Sequence, residues 1–157
     1  MAAYIKFDGL EGECKDASHE GWSDLQSYSQ GMNKPGEGTG ATRRRGDVQL
    51  DDITAGKELD KSSPKLAEAV CKGKVFPTVI IHQTASYTDS GRVTFFAIEM
   101  TNVQVVEYSV DGSAEDVPTE SLKLNFEEIK VMYTEWGSDG TSKGNVEYTW
   151  KVEEGTS

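Results

Sequence analysis

Leu59-Asp60-Lys61-Ser62-Ser63-Pro64-Lys65-Leu66-Ala67-Glu68-Ala69-Val70-Cys71-Lys72-Gly73 decides the fold class, because it is the one helical segment in a chain that otherwise reads as strands and turns. Ser62 and Ser63 are N-cap candidates, and Pro64 follows where a missing N–H is harmless. Lys72 suits the negative end of the helix, and Gly73 can take the left-handed conformation that closes it. Leu66 and Val70 fall on one face; Ala67 and Cys71 fall on the adjacent one, which places Cys71 on the inner side. A short helix with one apolar face must pack on a sheet. The expectation is a mainly β protein: a closed or nearly closed antiparallel β-barrel of two sheets, with one short α-helix alongside.

Outward from the helix, strands are predicted over residues 4–7, 22–32, 47–58, 78–84, 93–110, 120–134 and 146–152. Tyr87-Thr88-Asp89-Ser90-Gly91 and Gly137-Ser138-Asp139-Gly140 mark hairpin turns. Pro77 falls at a strand entrance, which a sheet tolerates. Three strands change phase midway. Val48 and Leu50 give way to Ile53 and Ala55 across Asp51-Asp52; Phe96, Ile98 and Met100 to Val103 and Val105; Leu122, Leu124 and Phe126 to Ile129, Val131 and Tyr133 across Glu127-Glu128. Such a shift marks a bulge, a corner where the strand buries its other face, or two shorter strands.

The helical block also carries a resemblance. Lys57, Asp60, Lys61, Ser63, Pro64 and Leu66 form the pattern Lys-x-x-Asp-Lys-x-Ser-Pro-x-Leu. With the opening run from Tyr4 to Glu13, His19 to Trp22, Ser27 to Met32, and the late run from Pro118 to Phe126 continued by Ile129 to Tyr133, the chain resembles the Hcp family, the hemolysin-coregulated tube proteins of type VI secretion. The resemblance spans nearly all of residues 1–157 and implies a single tube domain with an extended loop at 33–46. It implies a structural subunit: a homo-hexameric ring stacked into a tube, working with spike and sheath proteins and carrying or chaperoning effector proteins in its lumen. It further implies a protein that is cytoplasmic before assembly and secreted through its own machine. Two departures stand out. Tyr28 and Gln30 occupy positions where aromatic residues flanking a serine are expected, and Arg43-Arg44-Arg45 is unusual in a loop rich in glycine and serine.

The other properties bound the same reading. The formal charge of −11 argues against nucleic acid, whose phosphates are gripped by concentrated Lys and Arg. It also makes ring formation sensitive to salt. Arg43, Arg44 and Arg45 form the one basic cluster, in a Gly-rich stretch, and are expected to meet carboxylates of a neighbouring ring, such as those of the Glu115-Asp116 loop or the Glu153-Glu154 tail. Ser27 and Ser29 share a face with Leu25 and Gly31, opposite Tyr28, and would line either a wettable lumen or plain solvent. Met1-Ala2-Ala3 runs directly into an amphipathic strand, so no signal peptide is expected, and no run is long and apolar enough for membrane insertion. Cys14 and Cys71 are expected to be free thiols.

No catalytic constellation is legible. His19 and His82 are the only histidines; neither sits beside a nucleophile, and His82, on the apolar run Val79-Ile80-Ile81-His82, reads as a partly buried structural residue. Acid, Cys and His residues lack metal-site spacing, and no glycine motif leads into a helix to cradle phosphate. The expectation is a non-enzyme with no metal and no cofactor. The rival readings are a tail-tube-like subunit of another contractile injection system, a monomeric β-barrel binding module and, less favoured without catalytic residues, an effector.

Overall fold

The computed structural model describes residues 1–34, 48–88 and 91–152. Among the described residues, eleven strands and one helix follow in the order β1 (Ala2–Phe7), β2 (Ser23–Leu25), β3 (Ser27–Ser29), β4 (Met32–Asn33), β5 (Gln49–Leu50), β6 (Ile53–Glu58), α1 (Ser63–Lys72), β7 (Val75–Thr88), β8 (Gly91–Asp111), β9 (Thr119–Asn125), β10 (Glu128–Trp136) and β11 (Ser142–Lys151). Nine strands form one antiparallel sheet along the path β2-β1-β7-β8-β9-β6-β3, with β10 set between β8 and β11; β4 and β5 pair separately. The two ends of the path, β2 and β3, are consecutive in the chain. They meet at Gln26, whose N–H donates to the Gly56 carbonyl at 2.8 Å. The mainly β, antiparallel expectation with one short helix therefore holds.

The helix starts and stops where its residues require. Gly73 closes it at φ 64°, and Lys74 N–H returns to Ala69 O at 3.0 Å. Ser62 is the N-cap residue, yet its hydroxyl makes no cap bond and turns to Asp60 instead. The buried face is Ser63, Leu66 and Ala69, at i, i+3 spacing; Cys71 is exposed, contrary to its expected inner position, because the sheet meets the helix one position round. Cys14 and Cys71 are free thiols.

The phase breaks share one line across the sheet. Phe76 pairs with Val103 and Thr78 with Thr101, leaving Pro77 and Asn102 outside the ladder between them. On the other side of β8, Gln104 pairs with Asn125 and Thr101 with Glu128, so β9 and β10 lie end to end along one edge of β8. At this line Pro77 has no N–H to offer, Asn102 adopts φ 52°, and the Asn102 side-chain amide donates to Glu127 Oε2 at 2.8 Å. The buried set switches parity here in every strand: Phe76 to Val79 and Ile81, Ile98 and Met100 to Val103 and Val105, Phe126 to Ile129. The 120–134 strand is thus two strands meeting at this corner, and 47–58 divides into β5 and β6. Within β8 the chain runs on, with a further bulge between Val105 and Glu107. The predicted 22–32 strand divides into β2, β3 and β4. The turn at Gln26 sends Leu25 into the core while Ser27 and Ser29 stay exposed, so Leu25 does not share their face.

One core fills the interior, built from Ile5, Phe7, Ile53, Leu66, Phe76, Ile81, Met100, Leu122, Leu124 and Ile129 among others. The helix covers the sheet with Leu66 and Ala69, whose full burial contributes about 1.5–3 kcal/mol for the leucine.

Candidate assembly surface and its buried anchor

Four strands present a polar face, one row of it made of small side chains. Residues opposite one another in a ladder share a face, so the register builds this surface directly. One row reads Ser27, Gly56, Ser121, Ser109 across β3, β6, β9 and β8; the next reads Ser29, Thr54, Lys123, Glu107. Lys123 and Glu107 form an exposed ion pair at 3.2 Å. At Gly56 a Cβ would stand 2.7 Å from Ser27 Oγ, so a larger residue there would turn the serine hydroxyl aside. No large apolar side chain interrupts these two rows, while the alternate residues Ile53, Ala55, Leu122 and Leu124 are in the core.

Beneath this surface, at the helix start, lies a buried ionic cluster made from the Lys57–Leu66 motif. Lys57 is fully buried and faces Glu120 across the β6–β9 ladder, the two charged groups in contact. Lys57 Nζ also meets Asp60 Oδ1 at 3.1 Å and donates to Glu58 O at 3.3 Å. The ammonium thus donates two hydrogen bonds and lies against the Glu120 carboxylate as an ion pair. Tyr108 OH donates to Glu120 Oε2 at 2.7 Å, and Ser23 OH donates to Asp60 Oδ2 at 2.7 Å. Ser62 N–H donates to Asp60 Oδ1 at 2.9 Å, and Asp60 N–H donates to Ser63 Oγ at 3.0 Å. Burial works against the Asp60 charge, but hydrogen bonds from Ser62 and Ser23 and the Lys57 charge outweigh it and lower its pKa. Burial, then Glu120, raises Tyr108 well above the phenol range. The cluster joins β2, β6, β8, β9 and the start of α1 and anchors the helix to the sheet.

Apolar side chains also reach solvent. Val146 is 76% exposed, and Tyr133 and Tyr148 are nearly half exposed on the β10–β11 hairpin. A groove of about 410 Å³ lies between β11 and the β4–β5 pair, lined by Met32, Lys34, Val48, Leu50, Tyr148 and Trp150. Among the described residues β11 pairs with β10 alone, leaving a strand edge open.

Ser27 and Ser29 stand exposed on the polar face. Arg43, Arg44 and Arg45, and the Glu153-Glu154 tail, lie outside the described residues; Glu115 and Asp116 are exposed in the β8–β9 connection. Asp51, Asp52 and Glu127, expected within strands, lie outside them, while Glu128 opens β10 as a strand residue; Asp52 accepts from Asn125 at 2.9 Å. His82 is partly buried as expected, but its setting was not foreseen: His19 Nε2 lies 3.0 Å from His82 Nδ1, and His19 Nδ1 lies 2.8 Å from Asp16. Nothing in the local pattern signals that contact, since 63 residues separate the two rings.

Residues 4–133 match the family model described as the type VI secretion system effector Hcp. The chain belongs to the Hcp family. It is 31% identical over 152 residues to the protein hcp1 of Pseudomonas aeruginosa, covering 95% of this chain and 93% of that one. In structure it is similar to a type six secretion system protein, with a TM-score of 0.91 at 24% identity over 99% of this chain and 98% of the other. Hcp1 from Salmonella typhimurium aligns with a TM-score of 0.79 at 19% identity, covering 99% and 97%. A type VI secretion system effector from Yersinia pestis gives 0.77 at 21%, covering 96% and 99%. At these identities the structural likenesses speak for the Hcp fold.

Proposed function

We propose that this chain, acting as one domain, is a structural subunit of the inner tube of a type VI secretion apparatus. Six copies close into a ring, rings stack into a hollow tube beneath a spike, and contraction of the surrounding sheath drives the tube outward. The protein begins in the cytoplasm and is exported through that machine. Its work is mechanical rather than catalytic.

The observation that carries this reading is the pair of surfaces on one sheet: two polar rows across β3, β6, β9 and β8, one of small residues and one ending in the Lys123–Glu107 ion pair, and an open β11 edge beside exposed apolar side chains. An open edge next to apolar surface favours a neighbouring copy, which would supply hydrogen bonds and cover the valines and tyrosines. In such a ring Ser27 and Ser29 line the lumen, which stays wet and passes or shelters effector proteins. The consecutive β2 and β3 at the two ends of the strand path support closure of the sheet into a barrel. Arg43, Arg44 and Arg45 act between stacked rings, where a chain of charge −11 supplies carboxylates.

Native mass spectrometry of the purified chain at low and moderate salt tests the reading. A dominant hexamer supports it. A monomer under all conditions overturns self-assembly and shifts the assignment to a monomeric binding module or to a subunit of a contractile device that assembles only on its baseplate.

A further inference from the structure

The segment between β1 and β2 lies over the face of β1 and β7 that points away from the core. Its own bonds make it compact: Gly12 N–H to Gly21 O at 2.7 Å, Cys14 N–H to Trp22 O at 2.8 Å and Trp22 N–H to His19 O at 3.0 Å. What fastens it to the sheet is a small polar and aromatic cluster. His19, 3% exposed, stacks on Tyr4 at 4.3 Å between ring centroids, and Trp22 packs against both His19 at 4.8 Å and His82 at 4.7 Å. Through the middle runs the hydrogen-bonded chain Asp16–His19–His82.

The donor count in that chain makes it respond to acid. With both rings neutral, His19 Nδ1–H donates to Asp16, and His82 Nδ1–H donates to His19 Nε2. A first added proton is accommodated: His19 becomes a cation donating at both ends, offset by Asp16, and His82 moves its proton to Nε2. A second proton places two N–H groups head to head at the 3.0 Å contact, with two cations side by side. Few charges relieve them. Asp16 comes from the segment itself. Asp24 on β2 stands across the ladder from Tyr4, and Arg92 on β8, bonded to Tyr4 OH at 3.2 Å, adds positive charge. Lys6 on β1 and Glu99 on β8 occupy the next row, on either side of Ile80. We infer that Asp16–His19–His82 is an acid-sensitive latch, which holds the β1–β2 segment on the sheet while at most one proton is shared and releases it when both imidazoles are charged. Burial, and then the neighbouring His19, lower His82 to about 4, so the release falls in mildly acidic solution. This inference rests on the fold alone and stands apart from ring assembly.

Cys14, 5% exposed within the segment, reports the opening, once the exposed Cys71 is removed by Cys71→Ser. Its reaction with 4,4′-dithiodipyridine, which modifies thiols in acid, is followed from pH 7 to pH 4.5 beside far-UV circular dichroism. A closed-state His82 near 4 and an open-state value near 6.5, allowing for the partial exposure of His82, raise the open fraction at most roughly 30-fold over that range. The expected result is a rise of that order with the circular dichroism unchanged, reduced to less than about 5-fold by His82→Gln. In a second variant, Asp16→Asn, the rise begins at higher pH, because the first proton loses its counter-charge. A rise equal in His82→Gln, no shift in Asp16→Asn, no rise above pH 4.5, or a rise that coincides with loss of strand signal overturns the latch.

Discussion

Replacing Lys57 with Met isolates the energetic role of the buried anchor. Met preserves the unbranched stem and removes the ammonium, so the packing loss is small and the effect is electrostatic. The native side chain is fully buried and satisfies Glu120, Asp60 and the Glu58 carbonyl together. After the change Glu120, 3% exposed, keeps Tyr108 on one oxygen and has no cation for the other. Asp60 fares better, with Ser23 and Ser62 still bonded to it. Breaking a buried pair from one side costs roughly 3–5 kcal/mol, because a charge stays behind uncompensated. Against a total stability of about 5–15 kcal/mol that is a large share. For a chain of this size each kcal/mol moves Tm by roughly 2–4 °C, giving a fall of about 6–20 °C. Urea unfolding followed by circular dichroism reads the free energy, and a thermal melt reads Tm. Glu120→Gln retains the Tyr108 bond and adds no orphan charge to the site beyond Lys57, which Asp60 still partners; it loses less than Lys57→Met. The double variant Lys57→Met/Glu120→Leu removes both charges and regains part of the loss. A loss below about 1 kcal/mol for Lys57→Met, or a double variant no better than Lys57→Met, would refute the assignment of this cluster as the link between helix and sheet.

Three further outcomes follow from other contacts. Gly12→Ala places a Cβ 2.5 Å from the Trp22 carbonyl oxygen, which is backbone and cannot turn aside, so urea unfolding should show a loss of about 1–3 kcal/mol. Arg43→Ala/Arg44→Ala/Arg45→Ala should leave the hexamer in native mass spectra and abolish stacked tubes in electron micrographs; unchanged stacking removes these residues from the ring contact. Stability should fall in two acid stages. His82, held below its ordinary value, contributes stability that is full above about pH 6.5 and is lost towards pH 4, no more than ~2 kcal/mol after allowance for its partial exposure. Asp60, also held low, contributes stability present above about pH 4 and lost only below it. Urea midpoints measured across pH 7 to 3 check the order, and His82→Gln should remove the first stage alone.

The chain wrote its local structure plainly. Pro64 and Gly73 bracket the helix because capping is chemistry between near neighbours. The β10–β11 hairpin is legible in Gly137 to Gly140 because a turn needs Gly140 at φ 83°. The parity switches at 101–103 and 126–129 were visible for the same reason: alternation is read along one strand. Whether each switch was a corner or a break was not visible, because the answer lies in the alignment of Pro77, Asn102 and Glu127 across three strands. Cys71 was misplaced on an inner face because a ten-residue helix has two adjacent stripes of small apolar residues, and only the sheet chooses between them. Lys57 and Glu120, His19 and His82, and the serine row from β3 to β8 are each joined over long sequence separations. Their contacts depend on strand register, and register is set by which set of alternate residues the shared core can bury. The sequence by itself therefore determined the helix, the mainly β class and the family; the tertiary structure alone decided where the long strands divide and which distant polar groups meet, because only core packing brings their strands into line.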